Sequence, residues 1–115
     1  ATARDAMTGG PWSRGKSFDS ACPLGPWITV DPTLDVTNLA IRSYLNGEIA
    51  QDSSTAHMIW NPFELVSYVS RQMTLLPGDV IATGAPAGAG LVRAGDRVEI
   101  EIEGIGSLTN PVVRA

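Results

Sequence analysis

Hydrophobic and polar residues alternate most regularly in residues 97–103, which read Arg-Val-Glu-Ile-Glu-Ile-Glu. Successive side chains of a strand point to opposite faces, so this pattern predicts a strand with Val98, Ile100 and Ile102 towards the core and the charged residues outward. Gly104 then predicts a turn into a last strand over residues 107–113. The end of the chain is therefore expected to be β structure with one buried face.

A second alternating stretch predicts a β-hairpin in the middle of the chain. Residues 39–44 alternate, Asn46-Gly47 follows, and residues 48–51 can return antiparallel. Asn-Gly favours a type I′ turn, because both central residues of that turn take positive φ. Two short apolar runs, residues 27–30 and 80–83, predict further strands, of which the second is expected to be buried.

One helix is predicted over residues 62–73. Asn61 can act as the N-cap, Pro62 suits the first helical position, and Glu64 stands where a capping box requires an acid. The apolar residues that follow recur at helical spacing, which indicates core packing rather than a cofactor site. Together the elements predict a mainly β (α+β) fold with one amphipathic helix, and the glycines and prolines of residues 1–27 predict mostly loop there.

Composition narrows the class of protein. With 115 residues, 43% of them hydrophobic and 17% charged, the chain suits one globular domain, residues 1–115, or part of one. The net charge of −4 and a single lysine argue against nucleic-acid binding, and no apolar run has the length of a membrane span. Because Cys22 is the one cysteine, an intrachain disulfide is excluded, which fits a reducing cytoplasmic compartment. Cys22 is expected to be a buried structural thiol.

Lys16 and Arg4 are the first candidates for chemistry. They flank a segment rich in glycine and proline, and a lysine and an arginine in such a setting suit a clamp for a carboxylate or an oxyanion. The alternative is a pair of surface ion pairs, with Asp5 and Asp19 as partners. From their spacing alone, both interpretations remain open.

Three other features have simpler structural explanations. The glycine-rich residues 84–90 could present backbone N–H groups to an anion, but no Gly-Lys-Ser/Thr and no helix follows, so a wide turn is the simpler interpretation. His57 is the only histidine and is expected at the surface or packed in a loop. The acidic side chains of residues 97–103 could share a hard cation, yet a solvated strand face explains them as well.

Six short phrases, taken together and in order, are typical of one family. They are residues 2–5 (TARD), 14–19 (RGKSFD), 22–27 (CPLGPW), 45–48 (LNGE), 76–84 (LPGDVIATG) and 103–106 (EGIG). The chain resembles the fumarylacetoacetate hydrolase family over nearly its whole length. The resemblance implies a mixed β-sandwich or β-roll around a metal site, a homodimer, and a Mg²⁺, Mn²⁺ or Ca²⁺ cofactor. It also implies 2-oxo acid or 1,3-diketo acid substrates, as in aromatic catabolism.

The resemblance assigns roles to particular residues. Lys16 matches the family lysine that contacts the substrate and stabilises the developing oxyanion, and Arg4 matches the active-site arginine. Residues 84–90 match the loop that lines the substrate pocket, which makes Thr83, Gly84 and Ala85 candidate substrate contacts.

The chain departs from the family pattern in three respects. Met7 stands where many members have a substrate-contacting glutamine, and Ala85 stands where Gly-Thr is usual, so both positions lose hydrogen-bonding capacity. The family's metal ligands, a Glu-x-Glu pair and an Asn-Asp aspartate, would fall before Ala1, as would a histidine-containing segment. We therefore expect no metal ligand within these residues, and we expect the chain to be the C-terminal portion of a longer polypeptide, inactive without its N-terminal portion.

The function implied by the resemblance is that of a metal-dependent hydrolase that cleaves a C–C bond in a 2-oxo or 1,3-diketo acid. A same-fold isomerase, tautomerase or decarboxylase of 2-oxo diacids, such as hydroxymuconate-type acids or oxaloacetate, is the first alternative. A non-catalytic interaction module is the second, because Met7 and Ala85 have lost polar groups.

Overall fold

The computed structural model describes residue 9 and residues 11–114, with the backbone alone at residues 12 and 14. The elements are helix α1 (Trp12–Lys16), strands β1 (Ala40–Leu45) and β2 (Glu48–Ser54), a 3₁₀ turn (Thr55–His57), helix α2 (Pro62–Gln72), and strands β3 (Arg97–Ile102) and β4 (Gly106–Pro111). The strands form one antiparallel sheet in the order β2-β1-β3-β4. The prediction of a mainly β fold with one amphipathic helix is confirmed.

The predicted hairpin is confirmed and is longer than expected. Asn46 and Gly47 have φ values of 55° and 86°, as a type I′ turn requires. The Asn46 side chain donates to Asp96 Oδ1 at 2.9 Å and accepts from the Arg97 backbone N–H at 2.9 Å. The bond from Asn46 is also the main reason that the pKa of Asp96 lies below its usual value. The turn residue therefore fixes the hairpin to the start of β3.

Helix α2 begins where its capping signal predicts. The Asn61 side chain accepts from the Glu64 backbone N–H at 3.0 Å, and the Glu64 carboxylate accepts from the Asn61 backbone N–H at 2.8 Å. This reciprocal capping box satisfies two N–H groups that the first turn cannot pair internally. Leu65 and Val69 are half-buried, whereas Phe63, Val66 and Tyr68 are exposed.

The alternation in β3 is confirmed except at Glu99, which was predicted to face outward but is half-buried, and the last strand is shorter than predicted. The three aliphatic residues of β3 are half-buried, while Glu101 and Glu103 are exposed. The predicted strand over residues 107–113 is observed as Gly106–Pro111, paired with β3 in a register that places Ile100 opposite Leu108.

Several local predictions were wrong. Residues 27–30 and 80–83 form no strand, Ile28 is 89% exposed, and Val80, predicted to be buried, is 60% exposed. A strand needs a neighbour for its backbone groups, and neither run pairs with a strand of the described sheet. Cys22 is exposed rather than buried, whereas the region predicted to be mostly loop contains only the short helix α1, which Lys16 ends.

Very little of the described chain is fully covered. Leu39, 6% exposed, is its one buried hydrophobic side chain, and Ser43, 8% exposed, is its one buried polar side chain. Seventeen large hydrophobic side chains of the described residues are exposed, which leaves much apolar surface in contact with water. None of the helices in the described ranges is long and apolar enough to cross a membrane.

We expect the Gly106→Ala substitution to destabilise the complete protein by about 2–3 kcal/mol. Gly106 has φ of +121°, and a Cβ there would lie 2.7 Å from Trp27 Cζ2. The same indole donates its N–H to the Ile105 carbonyl at 2.9 Å, so it cannot move away freely. Urea denaturation followed by tryptophan fluorescence measures the change in free energy of unfolding.

Gly95→Ala is the matched control for this substitution. Gly95 has a similar φ of +97°, but a Cβ there would meet nothing within 4 Å. The Gly95→Ala variant should therefore lose only about 1 kcal/mol of stability, from backbone strain. Equal losses for the two variants would show that the close approach of Trp27 to Gly106 contributes nothing.

Candidate functional site

A pocket of about 420 Å³ lies where the end of β2, the 3₁₀ turn and the start of α2 meet the loop after residue 82. Its walls include Thr83, Gly84 and Ala85, which the sequence singles out as candidate substrate contacts. The structure thus brings these three residues to one cavity, although the run that precedes them is not a strand.

The rest of the pocket wall is mostly apolar with a few polar groups. Ile41, Met58, Trp60 and Leu65 supply aliphatic and aromatic surface. The Thr55 hydroxyl, which also lines the pocket, accepts from the Leu39 backbone N–H at 2.8 Å, so it joins the pocket to the centre of the sheet. Apolar walls with a small number of fixed polar groups are typical of small-molecule sites.

His57 belongs to this pocket, which its sequence context did not indicate. It is exposed, as predicted, but it lines the cavity together with the glycine-rich loop. Its Nδ1 lies 3.3 Å from the Ser53 hydroxyl, and Ser53 lines the cavity as well. A lone histidine carries no sequence signal of this kind, because the contact depends on how the 3₁₀ turn folds back on β2.

The other predicted site residues are placed differently. Lys16 is exposed at the end of α1 and does not line the pocket. Arg4 and Met7 lie outside the described residues. The proposed pairing of Lys16 with Arg4 therefore stays a prediction.

A second, wider depression lies over the polar face of β1 and β3. Arg42 Nε lies 3.2 Å from Asp52 Oδ1, and this carboxylate is the main cause of the raised pKa of Arg42. The Tyr44 hydroxyl donates to Glu101 at 2.8 Å, which raises the pKa of Tyr44. Glu103 accepts from the Ala40 backbone N–H at 3.1 Å. Glu101 and Glu103 thus both bond to β1, whereas Glu99 pairs with Arg97 on its own strand.

No three His, Cys, Asp or Glu side chains of the described residues lie together in a way that could hold a metal ion. Glu99, Glu101 and Glu103 are among these described residues, so they form no such group.

Comparison with known proteins decides the family. The family model for the C-terminal domain of fumarylacetoacetate hydrolase matches residues 1–113. The chain belongs to the fumarylacetoacetate hydrolase family. The fold agrees, because a crystal structure of 5-carboxymethyl-2-hydroxymuconate delta-isomerase from Mycobacterium smegmatis superposes with a TM-score of 0.89. That protein is 46% identical over 97% of this chain and 43% of its own.

Other members of the fumarylacetoacetate hydrolase family carry different names. The mitochondrial oxaloacetate tautomerase of Bos taurus is 43% identical over 97% of this chain and 39% of its own length. Maleylpyruvate hydrolase from Sphingobium sp. SYK-6, solved in complex with manganese(II) and pyruvate, is 36% identical with a TM-score of 0.84, over 90% of this chain and 39% of its own. The chain spans about half the length of the curated relatives it matches.

Proposed function

We propose that the complete protein is a tautomerase or isomerase that interconverts keto and enol forms, or double-bond positions, of a 2-oxo diacid. One structural observation carries the proposal, namely that the loop with Thr83, Gly84 and Ala85 forms a wall of a small, mostly apolar pocket with a few polar groups. The identities of 43% and 46% to a tautomerase and an isomerase support this reaction class over C–C hydrolysis.

This reaction requires that an enolate be stabilised as it forms. Removing a proton from the carbon next to a 2-oxo group leaves negative charge on the former carbonyl oxygen, and fixed positive groups stabilise that charge as it develops. We assign this role to Lys16, which ends α1 with its side chain exposed to solvent. We assign binding of a substrate carboxylate to Arg4, as the resemblance implies.

We also propose a divalent metal in the complete protein, because the maleylpyruvate hydrolase relative was solved with manganese. Such a cation would polarise the 2-oxo oxygen. Since the described residues provide no group of three ligands, we place its ligands elsewhere in the complete protein. Thr83 and Gly84 are then left to orient the substrate, through a hydroxyl and a backbone N–H on the pocket wall.

Hydrolytic C–C cleavage is the second candidate. Relatives described as a fumarylacetoacetate hydrolase and a maleylpyruvate hydrolase are 40% and 38% identical to this chain. Both reaction classes develop an enolate next to the 2-oxo group: isomerisation forms it by loss of a proton, whereas hydrolysis releases it when the C–C bond breaks after water has attacked the neighbouring carbonyl. Ala85, which removes a hydroxyl from the pocket wall, is compatible with either class.

A side-by-side assay of the complete protein with Mg²⁺, Mn²⁺ or Ca²⁺ tests the proposal. Oxaloacetate, a hydroxymuconate-type diacid and an acylpyruvate are offered in turn, with metal alone and chelated protein as controls. We expect tautomerisation or isomerisation of a diacid at least 10²-fold above the metal control, a modest demand on an enzyme, and no cleavage of the acylpyruvate. Cleavage alone would favour the hydrolase, and inertness towards all three would favour a non-catalytic module.

A further inference from the structure

A single amide side chain connects the buried centre of the sheet to the pocket loop. Gln51 lies on β2, and its Oε1 accepts from the Ser43 hydroxyl at 2.9 Å. Its Nε2 donates to the Pro86 carbonyl at 2.7 Å and is 3.3 Å from the Ala87 carbonyl. Ser43 is the one buried polar side chain of the described chain, so one end of this connection is held where water has little access.

The backbone of the loop approaches β2 at the same place. Gly88 has φ of +102°, and a Cβ built there would lie 2.8 Å from the Ala50 carbonyl oxygen and 3.2 Å from Gln51 Cγ. Only glycine allows this approach without displacing backbone atoms. Two independent features, a bonded amide and a required glycine, thus hold the loop against the edge strand of the sheet.

The chemistry of the three partners calls for an amide at this position. The Ser43 hydroxyl needs an acceptor, and the two loop carbonyls need a donor. Glutamine provides both on one rigid plane, whereas a glutamate of the same length would turn a negatively charged oxygen towards two carbonyl oxygens. Asparagine is one methylene shorter and could not keep both ends bonded.

We infer that Gln51 is a positioning residue for the pocket: its amide fixes residues 83–88 against β2 so that Thr83 and Gly84 face the substrate. Pro86, whose carbonyl accepts the Gln51 bond, itself lines the pocket, so the loop is fixed at a point two residues from Gly84. The catalytic part of this inference rests on the proposed function, whereas the holding of the loop does not.

The Gln51→Glu variant of the complete protein tests the assignment with two readouts. Hydrogen–deuterium exchange should become at least tenfold faster for the amides of residues 84–90, because local opening of the loop becomes easier. Exchange in β3 and β4 should not change. In steady-state assays with the diacid that the wild type converts, KM should rise about tenfold with kcat nearly unchanged, as loss of uniform substrate binding predicts.

Gln72→Glu is the matched control, because it makes the same charge change at the exposed last residue of α2. Ser43→Ala is the second variant: it removes the buried bond but leaves both loop bonds, so its exchange rates should lie between those of wild type and Gln51→Glu. The positioning role would be overturned if the loop amides of Gln51→Glu exchanged as slowly as those of the wild type. It would also be overturned if they exchanged faster but KM did not change. If the wild type is inert but the loop amides still exchange faster in Gln51→Glu, the proposed function is wrong, whereas the role of Gln51 in fixing the loop is supported.

Discussion

Replacing Lys16 by methionine in the complete protein should lower kcat/KM for its 2-oxo acid by about 10²–10³-fold, the usual effect of removing one group that stabilises a developing oxyanion. Methionine keeps most of the length of the side chain and removes its charge. Lys16 is exposed at the end of a short helix, so the variant should fold normally. Steady-state kinetics and thermal unfolding, measured on the same preparation, separate the two effects.

Arg71→Met is the control for loss of one positive charge. Arg71 is exposed near the end of α2, its Nε bonds the Ser67 carbonyl at 3.2 Å, and, unlike Lys16, it matches no active-site residue in the family resemblance. We expect its kcat/KM to stay within about twofold of wild type, since surface substitutions distant from a site have small effects. Unchanged turnover in Lys16→Met would remove Lys16 from the site.

The 115-residue chain on its own should show no cooperative thermal unfolding and should bind a hydrophobic dye strongly. Net stability is a small difference between large terms, and burial of apolar surface is the main favourable one. With Leu39 as the one buried hydrophobic side chain of the described residues, that term is small. We propose that the exposed apolar side chains are covered by the rest of a longer polypeptide, because the curated relatives are about twice as long.

A substitution in the complete protein tests whether another segment covers these apolar side chains. Ile28 is 89% exposed in the described structure, so Ile28→Ser should change stability by less than about 0.5 kcal/mol if that exposure persists. If another segment covers Ile28, the loss should be about 2 kcal/mol or more. A monomeric, cooperatively unfolding 115-residue chain together with a neutral Ile28→Ser variant would contradict the proposal, and a stable dimer of the chain would assign the cover to a second copy.

Sequence predicted those parts of the fold whose causes are local. The Asn46-Gly47 turn, the Asn61–Glu64 capping box and the alternation in β3 each depend on residues within a few positions of one another, and all three are observed, apart from the half-buried Glu99. Residues 27–30 and 80–83 have strand-like composition, but a strand also needs a partner, which composition does not provide.

The pocket, too, could be predicted only in part from the sequence. The family resemblance singled out Thr83, Gly84 and Ala85, and these residues do line a common cavity. His57 lines the pocket and Gln51 bonds its loop, and neither role was predicted, because both contacts depend on tertiary structure: Gln51 meets a carbonyl 35 residues away, at Pro86. A single sequence has no signal that pairs a glutamine on an edge strand with a loop so far along the chain.

Formation of the enolate is the central claim, and hydrogen–deuterium exchange at C3 of oxaloacetate measures it most directly. The complete protein, with its metal, is mixed with oxaloacetate in D₂O, and loss of the C3 proton signal is followed by NMR against metal alone. We predict exchange well above the metal control in the wild type and about 10²-fold less of that excess in Lys16→Met. Exchange no faster than with metal alone, or equal exchange in wild type and Lys16→Met, would contradict the account.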